Sequence, residues 1–216
     1  MKTIYCISGL GADERAFSKL IIPEGYRLQV LPWLQPIPKE TIEEYATRMR
    51  IGITDTYPVL LGLSFGGIMC TEIAKQLPVK KLILISSIKT SRELPGWMRI
   101  VSFLRLYKIV PLRSSRLTAP IQNRFLGVTN PEDQRVAEHY RKHADIHYVN
   151  WAVDKVMNWK NSWVHPVTFH IHGDSDKMFP VKRIRADHYI KGGGHFMIMN
   201  KAAEVSDCIR LALQAG

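Results

Sequence analysis

The sequence predicts an α/β fold, a mainly parallel sheet of about six strands flanked by helices and carrying a helical insertion. Three observations carry this reading. Short apolar runs alternate with helix-period stretches along the 216 residues, the rhythm of βαβ units and hence of parallel strands. That rhythm stops between about Thr90 and Ser162, where no strand pattern occurs, and then returns with two more apolar runs and a closing helix. At this length, with 46% hydrophobic and 23% charged residues, the chain suits a single domain, 1–216, with the stretch 90–162 inserted in it.

Thr3 to Ser8 reads as the first strand and runs into Ser8-Gly9-Leu10-Gly11-Ala12-Asp13. Helix-forming residues follow from Glu14 to Leu20, with Asp13 placed to cap them. Tyr26 to Leu31 is the second strand and Pro32-Trp33-Leu34-Gln35-Pro36 a stiff loop. Thr41 to Ile53 reads as a helix because Thr41 and Glu44 have the spacing of a capping box. The unbroken apolar run Val59 to Leu63 is a buried third strand, after which Ile68, Met69, Ile73, Ala74 and Leu77 resume at helical spacing. Lys81 to Ser86 is the fourth strand. Within the insertion, Pro95 to Val110 is apolar almost all round, and a helical stretch runs from Pro131, a first-turn residue after Asn130, to Trp159. Val167 to His172 and Asp187 to Ile190 are the fifth and sixth strands, and Lys201 to Leu213 the last helix.

Composition narrows the function. Only four largely apolar residues, Ile4 to Ile7, follow Met1-Lys2-Thr3, too few for a signal peptide, and no run approaches membrane-spanning length. Cys6, Cys70 and Cys208 are odd in number, lack metal-ligand spacing and sit in apolar elements; they read as buried free thiols of a reducing compartment, so the expected location is cytoplasmic. The net charge is +11, and +10 of it falls between Ile73 and Pro131, where eleven Lys or Arg face one acid, Glu93. Such a stretch attracts phosphate, a membrane surface or an anionic substrate, or is a solvated face; without an aromatic-interleaved motif, nucleic acid is not an expected partner. The apolar surplus of the insertion suits packing on the sheet together with lining an acyl pocket, and leaves room for contact of its surface with a membrane without stable insertion. His139, His143 and His147, four apart, would share one face of a continuous helix but span about 12 Å of it, too far to converge on a tetrahedral ion, so no metal is expected. Nothing in the pattern specifies an oligomer.

The chemistry-bearing residues lie at the strand ends. Gly62-Leu63-Ser64-Phe65-Gly66, followed by Gly67, puts small residues two before and two after a serine where a strand meets a helix. A strained turn of this kind lifts the serine oxygen clear of the backbone; a glycine-rich turn with an incidental serine looks the same locally. The first strand's loop leaves backbone N–H groups free at the same edge, so Leu10 and Phe65 are candidate donors to an oxyanion. Two more junctions reach that rim, His172-Gly173-Asp174-Ser175-Asp176 with Pro180, and Gly192-Gly193-Gly194-His195. A serine hydroxyl is a weak nucleophile that needs an imidazole base, and the imidazole needs a carboxylate to set its tautomer. Asp174 and Asp176 are both in reach of that role. His170, His172 and His188 are read as structural.

Taken together these residues resemble the α/β-hydrolase family: the elbow Gly62 to Gly66, His172-Gly173 with Asp176 and Pro180, and Gly194-His195 before the last helix follow its three landmarks in order and spacing over nearly the whole chain. The resemblance implies that Ser64 is the nucleophile, His195 the base and Asp176 the orienting acid, with the Leu10 and Phe65 amides as the oxyanion hole. It implies a helical lid after the fourth strand, a small-molecule acyl substrate and no metal or organic cofactor. Two departures stand out: Ser8-Gly9 replaces the frequent His-Gly of the oxyanion loop, and the family's N-terminal antiparallel strands have no counterpart, so a compact six-stranded form is expected. Hydrolysis of an ester or thioester through an acyl-enzyme is the leading expectation, with acyl transfer or CoA-thioester processing on the basic lid, or a non-catalytic binding protein, as alternatives. Trp33, Trp97, Phe103 and Phe196 are the candidate pocket residues.

Overall fold

The apolar runs fold as strands β1 (Lys2–Ile7), β2 (Tyr26–Val30), β3 (Val59–Leu63), β4 (Lys81–Ile85), β5 (Thr168–Gly173) and β6 (His188–Ile190). This computed structural model describes residues 1–105 and 119–214. The strands make one sheet in the order β2-β1-β3-β4-β5-β6, every neighbouring pair parallel. Position in the sheet explains composition. The central β3 is buried at every residue and apolar throughout, whereas β2, at an edge, interposes Arg27 and Gln29 between Tyr26, Leu28 and Val30.

Side chains two apart share a face, so the sheet divides its core in two. Tyr5, Ile7, Leu60, Leu82 and Leu84 join one layer with helices α1 (Ile42–Met49) and α2 (Phe65–Ala74). Ile4, Cys6, Leu61, Leu63, Ile83 and Ile85 join the other, with α8 (Ala202–Gln214). The three cysteines are buried free thiols, Cys70 in the first layer and Cys6 and Cys208 in the second.

Local departures from the sequence reading have local causes. The helix expected over Glu14 to Leu20 is one short 3-10 turn, Glu14–Phe17, with Asp13 capping Arg15 N as expected; only Ala16 and Phe17 are buried, too little apolar face to sustain a longer helix. The capping box of α1 forms as expected, Thr41 and Glu44 each accepting from the other's amide, and the helix ends in a 3-10 turn at Arg50–Gly52. Of the stretch Pro95 to Val110, α3 covers Gly96–Phe103 and gives way to a turn at Leu104 and Arg105, the latter at φ 54°; residues 106–118 lie outside the described residues. A short helix α4 (Ala119–Leu126) was not expected.

The long helix expected from Pro131 to Trp159 is two, α5 (Pro131–His143) and α6 (Ile146–Asn158). Ala144 and Asp145 turn extended, and the Asp145 carboxylate accepts from the amides of His147 and Tyr148, so an internal N-cap breaks the run. The histidine row breaks with it: the His139 and His143 rings stack at 3.9 Å, while His147 lies in the first turn of the next helix. Among the described residues no group of His, Cys, Asp or Glu has the arrangement of a metal site, and no helix is long and apolar enough to cross a membrane. The return of the chain to the sheet is pinned from α6: the buried Trp159 Nε1 donates to Glu72 of α2 at 2.7 Å.

Candidate active site

The end of β3 and the start of α2 are forced together by three glycines. A Cβ at Gly62 would overlap the Cα of Gly67, and one at Gly66 would overlap the Ile7 carbonyl of β1. Ser64 between them has φ 52° and ψ −118°, a conformation that side chains other than glycine adopt at a cost of roughly 1–3 kcal/mol. Several hydrogen bonds hold it there. Ser64 N donates to Ile85 O at 2.9 Å, while its carbonyl accepts from Gly67 N at 2.9 Å and from Ser87 Oγ at 2.7 Å. Ser87, just past β4, was missed by sequence reasoning, which stopped at the strand's end; its position on the same rim was the available signal.

This strain presents Ser64 Oγ 2.9 Å from His195 Nε2. On the other side of the ring, His195 Nδ1 lies 2.8 Å from Asp176 Oδ2. Because a carboxylate only accepts, the imidazole proton belongs on Nδ1, which leaves Nε2 able to accept from the serine hydroxyl. Three loops at the carboxyl end of the sheet, after β3, β5 and before α7 (Met197–Asn200), thus bring the three side chains into one chain of hydrogen bonds.

Asp176 is fixed at both oxygens: Oδ1 accepts from the amides of Met178 and Phe179 at 2.8 and 2.9 Å. Burial by itself raises its carboxyl, but the facing His195 and His172 imidazoles and the Phe179 amide outweigh it and hold Asp176 below the ordinary carboxylate value. Asp174, the alternative acid, is exposed and engaged elsewhere, accepting from Ser175 Oγ and from Gly192 N at 2.7 Å. It ties the β5 loop to the glycine run that leads to His195.

His172 packs behind this arrangement. Its Nε2 donates to the Phe179 carbonyl at 2.8 Å and lies 3.7 Å from Asp176 Oδ2, while the Phe179 ring meets the His195 ring edge-on at 5.4 Å. Both His172 and its strand neighbour His170 are fully buried. Burial, then His172, holds His170 well below the ordinary imidazole value; burial also lowers His172, against the pull of Asp176. In the unfolded chain both titrate near ~6.5. Below that pH the unfolded state binds protons the folded state refuses, so stability falls as the pH falls, by at most about 1.4 kcal/mol per pH unit for each histidine that stays neutral in the fold. Urea unfolding at several pH values between about 7.5 and 5 should show this slope, and His170→Leu should reduce it; an unchanged slope in that variant would assign the effect to other groups.

The loop after β1 lies alongside the serine. A Cβ built at Gly9 would meet Ser64 Cβ at 3.6 Å, and Ser8 Oγ donates to Ala12 O at 2.7 Å, folding the loop back on itself around Leu10. Phe65 is the first residue of α2, where a helix N–H has no intrahelical acceptor. Trp33 stacks on the Phe65 ring at 5.1 Å and donates from Nε1 to Ser8 Oγ at 3.0 Å. With Gly11, Gln35, His143 and Tyr148 it walls a cavity of about 220 Å³ between the β1 and β2 loops and the junction of α5 and α6. Gln35 bridges that junction, donating to the Asp145 carboxylate at 2.9 Å.

The other candidate pocket residues lie elsewhere. Trp97 is 44% exposed and leans on Phe125, and Phe103 is 86% exposed, because α3 turns Met98 inward and anchors Ser102 on Met157 O of α6. Phe196 is buried in the second core layer and its amide bonds Leu126 O at 2.8 Å, so adjacent residues His195 and Phe196 serve opposite sides of the loop.

A family model described as "Alpha/beta hydrolase family" matches residues 13–207, a span that includes Ser64, Asp176 and His195. The chain belongs to the alpha/beta hydrolase family. Family membership supports a hydrolase activity. No curated protein sequence matches it. Among solved structures, a thermophilic esterase from Thermogutta terrifontis superposes with a TM-score of 0.75 at 18% identity, covering 99% of this chain and 90% of that one. MenH from S. aureus gives 0.75 at 18% identity, covering 99% and 93%. A hydrolase from Oleispira antarctica gives 0.73 at 10% identity, covering 100% and 92%. At these identities the likeness concerns the hydrolase fold, which in this member consists of six parallel strands and the helices that flank them.

Proposed function

We propose that this alpha/beta hydrolase cleaves a carboxylic ester or thioester through an acyl-enzyme. The observation that carries the reading is the unbroken chain from Ser64 Oγ through His195 to Asp176, at 2.9 and 2.8 Å. In this reading Ser64 Oγ attacks the substrate carbonyl as His195 Nε2 takes its proton, and Asp176 stabilises the imidazolium that results. The tetrahedral oxyanion is received by the Leu10 and Phe65 amides, aided by the positive end of α2. His195 returns the proton to the leaving alcohol or thiol as the carbon–heteroatom bond breaks. The same imidazole then activates water, which adds to the acyl-Ser64 carbonyl and releases the acid and the free serine. Trp33 forms an apolar wall of the substrate pocket, and the helical insertion acts as its lid.

An active-site-directed fluorophosphonate tests this. It should label the protein stoichiometrically on Ser64, as read by mass spectrometry of the peptide, and leave Ser64→Ala unlabelled with an unchanged melting temperature. A folded protein that takes up no label at Ser64 would overturn the proposal.

A second reading rests on the basic stretch between Ile73 and Pro131. There the acyl-enzyme serves transfer, or the substrate is a CoA-like thioester whose phosphates the insertion grips. It requires that KM rise with salt for anionic but not for neutral substrates; parallel behaviour would remove it.

A further inference from the structure

The outer face of the insertion is apolar where a helix facing water would be polar. Along α3 and its C-cap, Trp97, Ile100 and Leu104 follow helical spacing, and with Phe103 they are 44, 61, 54 and 86% exposed in that order. On α4, Ile121 and Phe125 are 61 and 36% exposed, one turn apart. The Trp97 and Phe125 rings meet at 6.1 Å, which joins the two faces into one surface. Six large apolar side chains in one patch exceed the scattered exposure normal for a protein surface.

Charge identifies what such a surface meets. Arg99 on α3, Arg105 in the turn that follows it and Arg124 on α4 all stand exposed, and no Asp or Glu occurs between Glu93 and Glu132. A second copy of the chain would bring a net charge of +11 against another, which disfavours pairing through this face. A nucleic acid would meet the arginines but leave Ile100, Leu104 and Ile121 without partners. A layer with anionic headgroups above acyl chains satisfies both: arginine stems extend along apolar surface to reach phosphate, and tryptophan suits the boundary between the two. At eight residues each, α3 and α4 are far too short to span a bilayer and suited to lie in its surface.

We propose that α3 and α4 form a docking face for an anionic phospholipid surface. The face binds peripherally, with the apolar side chains at the acyl boundary and the arginines at the headgroups. It belongs to the helical insertion and is independent of whether Ser64 is a nucleophile, so its test reads binding and not turnover.

The full chain is sedimented with vesicles of phosphatidylcholine alone and with vesicles containing about 30% phosphatidylglycerol. Binding to the anionic vesicles should be about 100-fold tighter, the gain expected from three arginines near the surface, and should weaken as salt is raised. Tryptophan fluorescence should be quenched by lipids brominated in the acyl chains. Ile100→Glu with Phe103→Glu should abolish binding, and Arg99→Glu with Arg124→Glu should remove most of the preference for phosphatidylglycerol; all four positions are exposed, and circular dichroism checks that each variant is folded. No binding to either vesicle overturns the proposal. So does binding that survives the Ile100 and Phe103 changes, which would mark mere adsorption to polyanions, and so does light scattering that shows a dimer dispersed by the same changes.

Discussion

Asp176→Asn should lower kcat on an activated ester by about 10⁴-fold, the loss that follows when the orienting acid can no longer fix the base's tautomer. Asp174→Asn should stay within a few-fold of the parent. The contrast follows from where each carboxylate is spent. Asp176 Oδ2 is the acceptor for His195 Nδ1, and an amide nitrogen placed there would favour the imidazole proton on Nε2, facing Ser64 with a donor in place of an acceptor. Asp174 Oδ1 accepts from Gly192 N, a bond that the asparagine oxygen reproduces. Steady-state rates of the two purified variants with a p-nitrophenyl ester decide it; equal losses would mean that the acid role is shared, and a larger loss at Asp174 would reverse the assignment.

Gly66→Ala should cost on the order of 4 kcal/mol of stability and abolish labelling at Ser64. The added methyl has no side chain to push aside, only the backbone carbonyls of Ile7, the last residue of β1, and Ser8, so either the strand end or the turn must move. Gly25→Ala is the control. Gly25 has φ 84° but nothing within 4 Å of its missing Cβ, so only the left-handed backbone penalty applies, roughly 1–2 kcal/mol. Urea midpoints of the three proteins separate steric overlap from backbone conformation. Similar losses at both positions would show that the elbow tolerates the methyl.

The sheet was legible because burial writes itself into the strands: an unbroken apolar run at Val59–Leu63 can only be central in a parallel sheet, and all six strands lie within two residues of their expected places. The convergence of Ser64, His195 and Asp176 was legible for a topological reason, since parallel strands end on one rim. What escaped was information held by partners distant in sequence. The break at Ala144 depends on Asp145 turning to cap the following helix, a choice that a continuous helical pattern hides. Trp97 and Phe103 read as pocket residues because an aromatic residue carries no mark of the direction it faces; Met98 facing inward decided that. His172 sits in a strand like any packed residue, and only the fold brings it to the Phe179 carbonyl.

The three cysteines have a use unrelated to catalysis. Each is buried, and burial pushes the thiols of Cys6 and Cys70 far up and that of Cys208 to about 11, so none is a ready nucleophile while the fold is closed. Cys70 belongs to one core layer and Cys6 and Cys208 to the other. The molecule therefore carries its own clocks. Pulsed alkylation times the opening of each layer without an introduced probe, and a lag between Cys70 and Cys208 would reveal whether the layers loosen one after the other or the sheet gives way as a unit.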